Sequence, residues 1–183
     1  MTDPTALERL LLARSIKRGD FLLASGQRSS YYIDCRITTM SAEGLVLVGQ
    51  AGLRAIRDQG WAPQAVGGLT MGADPVAYAI SAASFGSDHG IDAFSVRKDA
   101  KQHGTGQAIE GNFHPGAAVV VVEDVITSGG SALQAIGRLE ENGGIVLGVL
   151  AVVDREQGGR EKIESAGHRV VSLTTSTALG LIT

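Results

Sequence analysis

Residues 117–131 constrain the fold more tightly than any other stretch. Ala117 to Val122 is an unbroken apolar run, followed at once by Glu123-Asp124 and then by Val125-Ile126-Thr127-Ser128-Gly129-Gly130-Ser131. A run apolar at every position predicts a strand buried on both faces, the mark of a parallel sheet covered by helices. The small residues after it predict a tight loop. Ala132 to Glu141 then has helical spacing and ends at Gly143-Gly144.

The alternation continues on both sides. Downstream, Ile145 to Val153 predicts another buried strand, Arg160 to Ala166 a short helix and Val170 to Leu173 a last strand. Upstream, Ser41 caps a predicted helix running to about Gln59 and closed by Gly60. Ala65-Val66 leads into the glycine-rich Gly67-Gly68-Leu69-Thr70-Met71-Gly72, Asp74-Pro75 opens a helix, and Ile91 to Val96 reads as a strand. Strands separated by helices imply right-handed crossovers, hence an α/β fold with a mostly parallel central sheet flanked by helices.

The first 40 or so residues fit this scheme poorly. Asp3-Pro4 predicts a helix start with Leu7, Leu10, Leu11 and Ile16 on one face and an end by Gly19. Phe21 to Ala24 and Tyr31 to Cys35 predict a hairpin around residues 25–29. Together they predict a small N-terminal hood over one end of the sheet, with residues from about 41 to 183 as the α/β core of a single domain spanning 1–183.

Composition excludes several classes. Sixteen Lys and Arg against nineteen Asp and Glu leave −3, so no global positive field recruits nucleic acid. Cys35 is the single cysteine, which excludes an internal disulfide, and His89, His103, His114 and His168 lack metal-ligand spacing. No apolar run approaches the length of a membrane span, and the start of the chain is not basic like a signal peptide, so a cytoplasmic location is expected. Glycine makes up 25 of 183 residues, about twice the ordinary ~7%, as loops that approach a ligand closely require.

The chemistry concentrates after the valine run. Thr127 to Ser131 offers hydroxyls and backbone N–H groups at a positive helix N-terminus, which suits a phosphate. It lacks the lysine of a G-K-[ST] loop. Glu123 and Asp124 would repel an anion unless they met hydroxyls or a cation instead. A ribose 5-phosphate satisfies both demands, with the phosphate in the loop and sugar hydroxyls on the two acids. The plain alternative is a strand-to-helix turn whose acids merely suit the helix dipole.

Val119 to Ser131 resembles the phosphoribosyl-pyrophosphate (PRPP) signature of the type I phosphoribosyltransferases. Arg97-Lys98-Asp99-Ala100-Lys101-Gln102-His103-Gly104 resembles the mobile catalytic loop of the orotate-using members. Ser25-Gly26 through Tyr31-Tyr32-Ile33-Asp34, and Asp154-Arg155-Glu156-Gln157-Gly158-Gly159, fit those members in order and spacing. The resemblance implies transfer of the phosphoribosyl group of PRPP to orotate, giving orotidine 5′-monophosphate and pyrophosphate on the way to UMP. It implies that Arg97, Lys98, Lys101 and His103 act in catalysis from a lid over 97–111. It gives PRPP to Glu123, Asp124, Val125, Ile126, Thr127, Ser128, Gly129, Gly130 and Ser131, with Thr70, Met71 and Gly72 on the diphosphate.

For orotate the resemblance points to Thr127, Arg155, Tyr32 and Ile33, the guanidinium matching the carboxylate bidentately. Magnesium is expected to travel with PRPP, without protein metal ligands of its own. The lid is expected to reach a neighbouring subunit, which implies a homodimer. Two departures stand out. Some members have lysine where Met71 stands, so contact there falls to backbone, and several have lysine where this chain has Ala24.

Each position has a bland alternative. The charged loop could be simply solvated, Arg155 could be a surface residue paired with Asp154 or Glu156, and Tyr32 and Ile33 could be hairpin packing. Other functions also stay open. One is a phosphoribosyltransferase for another base, against which Arg155 and the 97–103 pattern argue. Another is a PRPP-sensing regulator without catalysis, which would ordinarily add a basic face. A dinucleotide module fails because no G-x-G-x-x-G opens a helix.

Overall fold

A computed structural model describes residues 5–22, 28–87, 89–98 and 108–182. Thr5, not Asp3, caps the first helix, α1 (Ala6–Arg14): Thr5 Oγ1 accepts from Glu8 N–H and Glu8 Oε2 accepts from Thr5 N–H, a capping box. Asp3 and Pro4 lie outside the described residues. The helix ends at Arg14, earlier than Gly19, and Ile16 belongs to a strand rather than to the helical face. That strand, β1 (Ile16–Leu22), pairs antiparallel with β2 (Arg28–Ile33), with Ile16 opposite Ile33 and Leu22 opposite Arg28. The expected hairpin therefore forms, but its strands start about five and three residues earlier than the β-type runs suggested.

A short α2 (Arg36–Thr39) leads to α3 (Ala42–Asp58). Ser41 caps α3 by accepting from Gly44 N–H at 3.1 Å, and Gly60 follows with φ +68°. The chain then alternates through β3 (Ala65–Leu69), α4 (Ala73–Ser84), β4 (Asp92–Val96), β5 (Ile109–Gly111), β6 (Ala118–Ile126), α5 (Gly130–Glu141), β7 (Ile145–Asp154), α6 (Gly159–Ser165) and β8 (Val170–Thr175). The main sheet has the order β5-β4-β3-β6-β7-β8, parallel except for β5 at one edge.

The valine run shows why the sheet is central. Val120 and Val122 face a core with Val48 and Ile56 of α3 and Val76 and Ile80 of α4. Val119 and Val121 face another with Ile136 and Leu139 of α5 and Ile163 of α6. All four valines are fully buried, and at about 1.5–3 kcal/mol for each such side chain they hold three layers together. Leu7, Leu11, Tyr31 and Ile33 join the first core, so α1 and the hairpin pack on the α3 side.

Three boundaries differ from expectation. Gly67 and Gly68 are strand residues of β3, not loop. A Cβ on Gly67 would stand 2.2 Å from the Phe94 carbonyl oxygen, and one on Gly68 2.2 Å from that of Val122. These glycines let neighbouring chain approach closely, a demand set by tertiary packing and invisible to strand propensity. Glu123 to Ile126 continue β6, so both carboxylates are held in the sheet instead of following it. And Ile109–Gly111, the far end of the expected lid, pairs with β4 as an edge strand.

Candidate active site

The carboxyl ends of the parallel strands carry a cavity of about 770 Å³, where ligands of open α/β sheets collect. β3 ends in Thr70, Met71 and Gly72 on one wall, with a cis peptide between Thr70 and Met71. β6 supplies Glu123, Asp124 and Val125, and the loop after it Thr127 and Ser131. Tyr32 and Ile33 from β2 and Arg155 after β7 complete the far side, and Lys98 borders it from the end of β4. A smaller cavity of about 100 Å³ adjoins it, bounded by Ser128, Gly129, Gly130 and the residues on either side.

Backbone donors set the character of both cavities. α1 and α3 have side-chain caps, whereas α4 and α5 begin at Gly72 and Gly129 with none. The N–H groups of their first turns are therefore available to an anion. Gly129 sits at φ +73°, and a Cβ there would also stand 2.7 Å from the Gly159 carbonyl oxygen, so glycine is required twice over.

The carboxylates are held unlike surface acids. Glu123 is 6% exposed and its Oε1 has no hydrogen-bond partner among the described residues. Burial pushes its carboxyl up to about 8; Asp124 adds to the rise and Lys98 opposes it. Asp124 is also raised, chiefly by burial, while the Val125 N–H at 2.8 Å and Arg36 pull it down. Asp74, at the start of α4, is raised by burial against a hydrogen bond from Ser95 Oγ at 2.7 Å.

Arg155 is buried, with 6% exposure. Neither acid expected as an alternative partner takes it: Asp154 binds Arg160 Nε at 2.8 Å, and Glu156 Oε2 accepts from Thr177 N–H. Among the described residues Arg155 Nε has no hydrogen-bond partner, its Nη2 lies 3.5 Å from Ser29 Oγ, and its Cζ stands 4.9 Å from the Tyr31 ring centroid. An arginine that no carboxylate of the described residues takes, on a cavity wall, suits an incoming one.

The cavity walls do not gather every expected residue. Ile126 is 2% exposed with its side chain in the α5 core, and it borders only the small cavity. Arg97 is not on the wall of the main cavity but lines a neighbouring one of about 420 Å³ that shares Thr70 and Lys98 with it, and pairs with Glu110 Oε1 at 3.0 Å. Lys98 is anchored through its carbonyl, which accepts from Arg138 Nη2 at 2.7 Å and Gln134 Nε2 at 3.2 Å. Lys101, His103 and Ala24 lie outside the described residues.

Sequence reasoning missed Arg36 and gave Asp34 and Cys35 no place on the cavity wall. Arg36 is bidentate to Asp34, at 2.8 and 3.0 Å, and this pairing holds Asp34 below the usual carboxylate range. Asp34 and Cys35 belong to the β-type run Tyr31 to Cys35 in the sequence, whereas β2 ends at Ile33, and only the bend into α2 brings residues 34–36 to the cavity. Cys35 is fully buried, and burial with Asp124 and Asp34 nearby pushes its thiol well up.

No protein-family model matches the chain. The orotate phosphoribosyltransferase of Rhodopirellula baltica is 43% identical over 183 residues, covering 98% of this chain and 95% of its own. The crystal structure of Mycobacterium tuberculosis orotate phosphoribosyltransferase with Fe(III) dicitrate is 42% identical with a TM-score of 0.84, covering 96% of this chain and 97% of that one. The same protein in complex with PRPP is 40% identical with a TM-score of 0.81, over 96% and 97%. Similarity that runs the length of both chains, on an α/β sheet whose carboxyl ends carry the uncapped loops and the unpaired arginine, makes this chain a member of the orotate phosphoribosyltransferase family.

Proposed function

We propose that the protein transfers the 5-phosphoribosyl group of PRPP to N1 of orotate, forming orotidine 5′-monophosphate and pyrophosphate in pyrimidine biosynthesis. The observation that carries this reading is the buried Arg155, without a carboxylate partner among the described residues, on the same cavity as a loop with no side-chain helix cap. An anionic base and a phosphorylated sugar both have a matching group there.

In this reading the small cavity at residues 127–131 takes the 5′-phosphate on backbone N–H groups and hydroxyls. Glu123 and Asp124 hold the ribose hydroxyls, a role open to Glu123 because its Oε1 is buried without a partner. Thr70, Met71 and Gly72 meet the diphosphate through backbone. Arg155 pairs the orotate carboxylate, with Thr127, Tyr32 and Ile33 around the ring. As the bond from the ribose carbon to diphosphate breaks, its electron pair leaves with pyrophosphate, and orotate N1 bonds to the carbon after giving up its proton to solvent or to the departing pyrophosphate. Cations from Arg97, Lys98, Lys101 and His103 then stabilise the charge that grows on the leaving group. The same lid excludes water from the sugar cation and serves a partner subunit in a homodimer.

Magnesium belongs to this reading as a companion of PRPP. Among the described residues no three His, Cys, Asp or Glu side chains form a metal cluster. Two buried carboxylates beside the sugar site suit an ion held mainly by substrate oxygens, with Asp124 and Glu123 reaching it through the hydroxyls. When bound, the ion neutralises diphosphate charge. No helix among the described residues is long and apolar enough to cross a membrane, and a cytoplasmic site of action is part of the proposal.

The test is direct. The protein is incubated with PRPP, with and without magnesium, and with each base in turn. Orotate should disappear only when both PRPP and magnesium are present, while adenine, guanine, hypoxanthine and uracil persist. Equal consumption of uracil would refute the orotate assignment.

A further inference from the structure

Arg155 raises a physical question that its proposed role does not answer. A buried guanidinium normally requires an ion partner or a full set of hydrogen bonds. Here the flanking acids are committed to Arg160 and to Thr177 N–H, and among the described residues Arg155 Nε has no acceptor. What stands against it is the ring of Tyr31, 4.9 Å from Cζ to centroid, inside the range of a cation–π contact.

That ring is itself fixed. Tyr31 is 4% exposed and belongs to the core that includes Val122 and Leu150. Its hydroxyl lies 3.2 Å from the Oγ of Ser176, a residue with no exposure. Ser176 N–H donates to the Asp154 carbonyl at 2.9 Å, one residue before Arg155. Tyr31 is thus tied to the segment that carries the arginine at both its face and its hydroxyl.

A ring face stabilises a cation without accepting one of its strong N–H donors and without cancelling its charge. A carboxylate partner would do both, and would compete with a carboxylate ligand. We propose that Tyr31 is the positioning residue of the base site, holding the Arg155 guanidinium in place without a carboxylate partner for a planar heterocycle that carries a carboxylate. Tyr32 was singled out at this site, yet the neighbour on the opposite face of the strand does the holding. The inference rests on the orotate role proposed for Arg155.

The experiment measures Michaelis constants for orotate and PRPP in Tyr31→Leu, Tyr31→Phe, Arg155→Leu and the Tyr31→Leu/Arg155→Leu double variant. Tyr31→Leu removes the ring and should raise the orotate constant about tenfold or more, with the PRPP constant changed by less than about twofold. Tyr31→Phe keeps the face and should restore the orotate constant to within about threefold of wild type. In the Arg155→Leu background the added Tyr31→Leu change should have little effect, because the group it positions is gone.

Folding is checked by circular dichroism, and Tyr31→Met, which fills the space without a ring, replaces the leucine variant if that one does not fold. An unchanged orotate constant in Tyr31→Leu or Tyr31→Met, with Arg155→Leu impaired, overturns the positioning role alone. So does a loss that multiplies fully with Arg155→Leu, or an equal rise in the PRPP constant. An unchanged orotate constant in Arg155→Leu instead overturns the reading beneath it.

Discussion

Arg160 Nε lies 2.8 Å from Asp154 Oδ2, and the same guanidinium reaches the Val170 carbonyl and Ser172 Oγ. Asp154 is therefore spent on an arginine six residues away in sequence, and the arginine next to it is left with a charge to offer. Arg155→Leu should raise the Michaelis constant for orotate roughly ten- to a hundredfold, the value of a charge-assisted hydrogen-bonded pair. PRPP binding to the free enzyme, followed by calorimetry, should be almost unaffected. A matching loss of PRPP affinity would mean that Arg155 serves the sugar phosphate instead.

Two glycines of the β3 region separate stability from binding. A Cβ on Gly68 would meet the Val122 backbone oxygen at 2.2 Å, which cannot move without disturbing the sheet. Gly68→Ala should lose about 1–3 kcal/mol in urea unfolding. A Cβ on Gly72 would meet the Asp124 carboxylate at 2.6 Å, and a side chain can swing aside. Gly72→Ala should melt close to wild type but bind PRPP about tenfold more weakly, since a displaced contact group loses its alignment. Equal effects of the two changes on stability would contradict this division.

Glu123 predicts a pH dependence of stability. Its carboxyl is raised from 4.5 to about 8, mainly by burial, so the folded state binds this proton more tightly than the unfolded one. The contribution is fully present below pH 4.5 and is lost as the pH rises through about 8. Glu123→Gln cannot ionise and escapes that loss. Between about pH 5 and pH 9 the variant's melting temperature should gain on wild type by about 3 °C or more. Parallel melting curves across the range would show that Glu123 does not carry a raised carboxyl.

The lid predicts a complementation. Removing one preorganised charge from a closed site costs about 10²–10³ in turnover, so Lys101→Ala should lose on the order of a hundredfold while its melting point stays near wild type. Mixed with a subunit disabled by Asp124→Ala and Gly129→Asp, it should recover about half of wild-type activity, because one of the two shared sites is then whole. No recovery, after capture of tagged subunits proves exchange, would place the lid over its own chain's site.

Elements whose burial is the same on every side were legible in the chain itself. Val119 to Val122 is apolar at each position because two helical layers cover β6, and local pattern alone carries that information. Ser41 and Gly60 mark the ends of α3 by backbone chemistry that a few neighbouring residues complete. The small, hydroxyl-rich loop at residues 127–131 was legible for the same reason, since its donors are its own backbone.

Contacts between distant segments were not legible. Gly67 and Gly68 read as a loop because nothing nearby in sequence shows that Phe94 and Val122 press against them. Tyr31 and Tyr32 are indistinguishable as letters, and the pleat of β2 decides which is buried against Arg155 and which lines the cavity. Arg155 and Arg160 both follow Asp154, and only the return of β8 beside β7, which brings Val170 and Ser172 to Arg160, settles which of them Asp154 neutralises. Local sequence thus determined the central strand, the ends of α3 and the small loop at residues 127–131, whereas tertiary structure decided which arginine Asp154 neutralises, because pairing depends on distance in space.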